Sequence, residues 1–213
     1  MNQQKLLELI ENAIENKNTE FNIICSNLTT LPPEIGGLTN IKKLCLISNN
    51  LSTIPKEIGL LKNLERLYLN ENQLTNIPKE IGELENLITL YLNHNNLTSI
   101  PKEIGLLKNL EILRLSYNNL TTIPKEIRGL NKLKNLYLRC NNLSTIPKGI
   151  GRLENLEELF IDYKNIANIS SEIKKLKNLK VLYLDFNNII TIPSEIKEIK
   201  NLKILGLPQH ESS

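Results

Sequence analysis

The sequence has no tryptophan, one methionine, two histidines and three cysteines, and its six tyrosines and three phenylalanines make up only 4% of 213 residues. Two histidines, scattered cysteines and no C-x-x-C pair offer no ligand cluster, so no metal site is expected. Glycine-rich phosphate loops are missing as well, and no cofactor is expected. No stretch approaches the roughly 18 consecutive apolar residues of a membrane helix. Residues 1–17 mix Glu and Asn with apolar residues and lack both a basic start and an apolar run of about seven, so they are not expected to act as a secretory signal. Charge of one sign is also in short supply. The 26 basic and 23 acidic side chains leave a net +3, which demands neither nucleic acid nor an anionic membrane as partner. A soluble, cytoplasmic protein is the expectation.

What the sequence does have is one frame, L-x-x-L-x-L-x-x-N-x-L-x-x-I-P-x-x-I-x-x-L-x-N, that recurs without an insertion. It begins at Ile41, Leu64, Leu87, Leu110, Leu133, Leu156 and Leu179, always 23 residues apart. Self-similarity at this period with this spacing is the signature of leucine-rich repeats, each a short strand followed by a helical or 3₁₀ return. One unit cannot bury its own apolar side, so the units must stack. The frame predicts an α/β leucine-rich repeat solenoid with a parallel concave β-sheet.

Residues 1–17 form an N-terminal capping helix in this reading, with Leu6, Leu7, Leu9, Ile10, Ala13 and Ile14 at helical spacing to cover the first strand. The solenoid follows over 18–207, as one degenerate, seven full and one partial repeat, and 208–213 are a short tail. Within each full unit the strand alternates, so Leu67 and Leu69 point inward while Arg66, Tyr68 and Asn70 point outward. The Asn at the ninth position, as in Asn49, Asn72, Asn95, Asn118, Asn141 and Asn187, is expected to bond backbone groups of adjacent turns in a ladder. Lys164 interrupts that ladder and Ser170 replaces a proline. Ile-Pro opens the return, with Pro pre-setting φ for the first helical turn and Glu two residues on suiting the positive helix start. Cys25 and Cys45 fall about three residues apart along neighbouring strands, hence ~10 Å or more between Cα atoms and beyond disulfide reach. Free thiols fit a reducing compartment. After Leu202, Leu205 and Leu207 no cap is evident, and the exposed apolar layer is expected to be covered by a continuing chain, by a partner or, the favoured reading, by an end-to-end homodimer.

The IPKEIGxLKNL run, nearly verbatim at Ile54 to Leu64 and Ile100 to Leu110, resembles the 23-residue leucine-rich repeat class of bacterial proteins abundant in leptospires and cyanobacteria. The same run is similar to the repeats of Ras suppressor, of plant Ras-group-related proteins and of the N-terminal region of Roco GTPases. The resemblance covers residues 18–207, and it implies an α/β horseshoe whose concave sheet binds other proteins.

Eight of the nine aromatic residues fall in two columns that face solvent on the concave side. The fifth position of the frame holds Tyr68, Tyr91, Arg114, Tyr137, Phe160 and Tyr183; the eighth holds His94, Tyr117, Cys140, Tyr163 and Phe186. Solvent-facing rings have no core to fill, and Tyr with Arg is the composition of interface hot spots. The alternative is that the rings merely stack across strands and shield the sheet. Charge divides the same face: Lys43, Arg66, Arg114 and Arg139 are basic, whereas Glu158, Asp162 and Asp185 make the last third acidic. The best nucleophile–base pair, Cys140 with His94, is two strands and about 9.6 Å apart with Tyr117 between, so no catalysis is expected. The predicted function is a non-catalytic module that binds a protein or peptide on the concave face. The alternatives are a structural or assembly role through the uncapped end, or the recognition region of a larger signalling protein.

Overall fold

The computed structural model describes residues 1–144, 148–162, 171–185, 196, 199–200 and 202–206. A helix, α1 (Gln3–Glu15), leads into nine short parallel strands among the described residues, joined in sequence order into one sheet. The strands are β1 (Glu20–Asn22), β2 (Lys43–Cys45), β3 (Arg66–Tyr68), β4 (Thr89–Tyr91), β5 (Ile112–Arg114), β6 (Asn135–Tyr137), β7 (Glu158–Asp162), β8 (Val181–Asp185) and β9 (Lys203–Leu205). Between consecutive strands from β1 to β8 lie seven 3₁₀ helices, for example Lys56–Leu60 and Lys102–Leu106. The fold is an α/β leucine-rich repeat solenoid.

The core follows from the frame. Leu44, Leu67, Leu90, Leu113 and Leu136 lie opposite one another across adjacent strands and are buried, as are Leu46, Leu69, Leu92, Leu115 and Leu138 two residues on. With the isoleucines and leucines of the 3₁₀ turns they make one continuous apolar cluster from Leu6 to Ile199. Layers of nearly identical aliphatic side chains stack with the register that the 23-residue period sets.

The cap is narrower than its apolar pattern. Asn2 caps α1 by accepting from the Lys5 N–H at 2.9 Å, and only Leu6, Ile10 and Ala13 are fully buried. Leu9 and Ile14 stay exposed at 38% and 37%, because the first turn of the solenoid is no wider than one helix face.

Proline stands one place earlier than the sequence suggests. Pro55, Pro78, Pro101 and Pro124 hold an extended backbone at the position before the 3₁₀ helix, with ψ near 150° (142–151°), and lysine takes its first position. The Pro carbonyl accepts the first turn bond, as in Ile58 N–H to Pro55 at 3.1 Å. Among the described residues only Pro33, after Pro32, starts a helix.

The Asn ladder is present through Asn141; Asn187, Lys164 and Ser170 lie outside the described residues. Asn72 shows its chemistry: Nδ2 donates to the carbonyls of Leu46 at 2.9 Å and Leu69 at 3.1 Å, and Oδ1 accepts from the Leu51 N–H at 3.0 Å. One amide thus satisfies backbone atoms of two neighbouring turns that packing hides from water. A second ladder, unforeseen, runs along the opposite ends of the strands. Asn63, Asn86, Asn109, Asn155 and Asn178 each donate to a carbonyl of the preceding unit, at 2.7–2.9 Å.

The register changes once. Pairs from β1 to β8 are 23 residues apart, but β9 pairs with β8 at 22, so Leu182 faces Ile204 and Tyr183 faces Leu205. The expected last layer is corrected accordingly: Ile204, not Leu205, packs on the core beside Leu202, while Leu207 lies outside the described residues. A one-residue slip normally exchanges core and solvent faces. Ile204 and Leu205 are both apolar, so here the slip meets little resistance.

Candidate functional site on the open sheet face

The fifth positions of the units form a continuous row on the face of the sheet away from the core. Parallel pairing sets Tyr68, Tyr91, Arg114, Tyr137, Phe160 and Tyr183 side by side on β3 to β8. Tyr68 meets Tyr91 edge to face at 5.0 Å, and Tyr137, Phe160 and Tyr183 stack at 4.7 and 5.8 Å. The guanidinium of Arg114 lies 4.5 Å from the Tyr91 ring and 4.7 Å from the Tyr137 ring, bridging the two aromatic runs. Each of these six side chains is half-buried, since strands about 4.8 Å apart bring rings edge to edge. Cross-strand stacking, one of the two readings of the sequence, is therefore present. It leaves a rigid surface of rings open along the row.

The eighth positions have a conformation that the sequence did not disclose. Cys25, Ser48, Glu71, His94, Tyr117 and Cys140 all have positive φ, between 51° and 58°. The chain turns sharply here so that the next residue, the ladder Asn, can point inward. Non-glycine residues in this left-handed region are uncommon. On this strained turn His94 stacks flat on Tyr117, with ring centres 4.2 Å apart and planes within 9°. Tyr117 is 46% exposed.

Cys140 and His94 are thus separated by the Tyr117 ring, as their spacing suggested. A hydrogen bond with Cys140 raises the Tyr117 hydroxyl above its ordinary range, and burial pushes the Cys140 thiol up. A thiol raised in this way is a weaker source of thiolate, the nucleophilic form. The Tyr137 hydroxyl is pushed up to about 12 by burial and by its bond to the Glu158 carboxylate at 2.8 Å.

The charge division of this face is corrected by pairing. Lys43 meets Glu20 at 3.1 Å, Arg66 meets Glu65 at 3.7 Å, and Arg139 meets Asp162 at 3.2 Å. Asp162 also accepts the Cys140 N–H, and Arg139 lies 4.0 Å over the Tyr183 ring. Three of the four basic residues and Asp162 are therefore held in ion pairs. Asn70, assigned outward, is buried at 8% exposure, and Cys45, at the fifth position of its unit, is buried at 4%. Tyr163 and Phe186 lie outside the described residues, and Asp185 is described only as a strand residue paired with Asp162. All three cysteines are free. Among the described residues no group of three His, Cys, Asp or Glu is placed to hold a metal ion, and no helix is long and apolar enough to cross a membrane.

Sequence families and solved structures agree with this geometry. The family described as "Leucine-rich repeat region" matches residues 89–191, and "Leucine Rich repeats (2 copies)" matches 62–106. Together with the fold, these matches define a leucine-rich repeat protein. A solved leucine-rich repeat protein of Leptospira interrogans is 42% identical over 84% of this chain, with a TM-score of 0.64, and the chain spans 52% of that protein. The leucine-rich repeat domain of the type III effector XopL, 24% identical, superposes over 95% of this chain and 80% of its own with a TM-score of 0.80, a likeness of fold. A TDR receptor shares 29% identity over 83% of this chain and 32% of its own, with a TM-score of 0.71. No curated protein sequence matches.

Proposed function

We propose that the chain is a non-catalytic module that binds a protein or peptide on the open, concave face of its sheet. The observation that carries this reading is the unbroken row Tyr68, Tyr91, Arg114, Tyr137, Phe160 and Tyr183, with the His94–Tyr117 stack beside it. Aromatic side chains in mutual contact have little rotamer freedom left to lose, so a partner meets a pre-ordered surface. Arg66, Arg139, Asp162, Tyr163, Asp185 and Phe186 border the row in this proposal. The likeness to the leptospiral protein supports membership of the bacterial 23-residue repeat class. Three unpaired cysteines support a reducing, cytoplasmic setting.

The test is a triple replacement of Tyr91, Tyr137 and Phe160 by Ala, followed by affinity capture. The core leucines are untouched, so the fold is expected to survive, as circular dichroism will report, while capture of the partner is lost. Unchanged capture by a folded triple variant overturns the proposal.

A further inference from the structure

Three buried side-chain polar atoms among the described residues have no hydrogen-bond partner: Asn70 Oδ1, Asn93 Oδ1 and Arg114 Nε. They are not scattered. Arg114 ends β5, and Asn70 and Asn93 follow β3 and β4 by two residues, so all three lie on the open face within three consecutive strands. Buried polar groups in folded proteins are nearly always paired, so three orphans on one small patch ask for a cause. Arg114 stands apart in a second way. Lys43, Arg66 and Arg139 on the same face each hold a carboxylate, whereas no carboxylate pairs with Arg114 among the described residues. The Tyr91 and Tyr137 rings flank its guanidinium, whose Nε is buried while the residue as a whole is half-exposed. Glu158, two strands away on β7, is engaged by the Tyr137 hydroxyl.

Resting on the concave-face reading above, we infer that the partner presents an extended acidic segment, and that one of its Asp or Glu side chains docks on Arg114. The guanidinium is a planar fork suited to a carboxylate, and aromatic flanks hold that fork in place and keep water from it. Asn70 and Asn93, turned about their broad terminal torsions, supply acceptors for N–H groups of an extended backbone running across β3 and β4. A segment of that kind satisfies all three orphans, donors and acceptors alike. The pairing of Asp162 with Arg139 offsets one like charge on β7 that would oppose it.

The experiment is a selection from a displayed library of random nine-residue peptides on the full chain, on Arg114→Gln, and on the triple Tyr91, Tyr137 and Phe160→Ala variant. The expected result is enrichment of Asp or Glu at one fixed place on the wild type and loss of that preference on Arg114→Gln. An enriched peptide, titrated calorimetrically, is expected to bind roughly tenfold or more weakly when that carboxylate becomes an amide. Against Arg114→Gln the acid and amide forms should bind alike. Enriched peptides without an acidic residue, lost on the triple variant, overturn the acidic partner and leave the concave site standing. No enrichment, or peptides that bind the triple variant equally, overturn both. Self-association in sedimentation that Arg114→Gln abolishes assigns the patch to a second copy and overturns the proposal too.

Discussion

Arg128 and Gly149 exchange the side-chain volume that glycine and glutamate hold in the preceding turns. In Gly36–Glu57, Gly59–Glu80, Gly82–Glu103 and Gly105–Glu126, a Cβ built on the glycine would meet the glutamate Cβ at 2.9–3.1 Å. One turn on, the bulky residue comes first: a Cβ on Gly149 would lie 3.5 Å from the Arg128 Cβ and 2.7 Å from the Lys125 carbonyl oxygen. In the four preceding turns the approach is too close for two side chains, whereas at Gly149 the Lys125 backbone carbonyl is what bars a Cβ. Gly149→Glu alone is therefore expected to cost roughly 1–3 kcal/mol by overpacking. Combined with Arg128→Gly it should return to within about 0.5 kcal/mol of wild type, since the pair would match its neighbours. Urea unfolding of the two singles and the double decides this; a double variant no better than Gly149→Glu refutes the exchange.

The left-handed turn predicts an unusual order of substitutions at an exposed cysteine. Cys25 has φ of 51°, and its backbone N–H donates to the Ile47 carbonyl at 3.2 Å. Cys25→Val is expected to lose about 1–2 kcal/mol, because a β-branched side chain crowds the backbone there. Cys25→Gly should match or exceed wild type. Thermal melts in which valine is tolerated as well as glycine would contradict the strained turn.

The two asparagine ladders should differ in weight. Asn118, 6% exposed, donates to Leu92 and Leu115 and accepts from Leu97, so Asn118→Ala leaves buried groups unpaired and is expected to cost roughly 1–3 kcal/mol. Asn109→Ala, in the exposed ladder, breaks a bond to Glu85 that water can replace and should cost under about 1 kcal/mol. Chemical denaturation of both tests the contrast, and equal losses would refute it.

Tyr137 makes stability fall in alkali. Its folded hydroxyl is raised to about 12, above the ordinary value near 10 of the unfolded chain. A raised folded value means the contribution is intact below pH 10 and is lost as pH climbs towards 12, when the unfolded chain ionises first. Tyr137→Phe should flatten that decline. Ultraviolet titration checks the cause directly: all six tyrosines ionising together near the ordinary value would disprove it.

The sequence by itself determined the period, the strand at the start of each unit, the inward leucines and the ladder asparagines. Each of these is a local pattern repeated in register, and stacking can satisfy it in only one way. It also placed Tyr68, Tyr91, Arg114, Tyr137, Phe160 and Tyr183 in one column, because a fixed period turns sequence position into spatial neighbourhood. What crosses between units was decided by the tertiary structure alone. The positive φ at His94 and Tyr117, the exchange of volume at Arg128 and Gly149, the pairing of Arg139 with Asp162 and the unpaired Arg114 all depend on how closely neighbouring turns approach and on which side chain reaches which. Periodicity says which residues are adjacent, but distances of a few tenths of an ångström between them settle whether they stack, clash or pair.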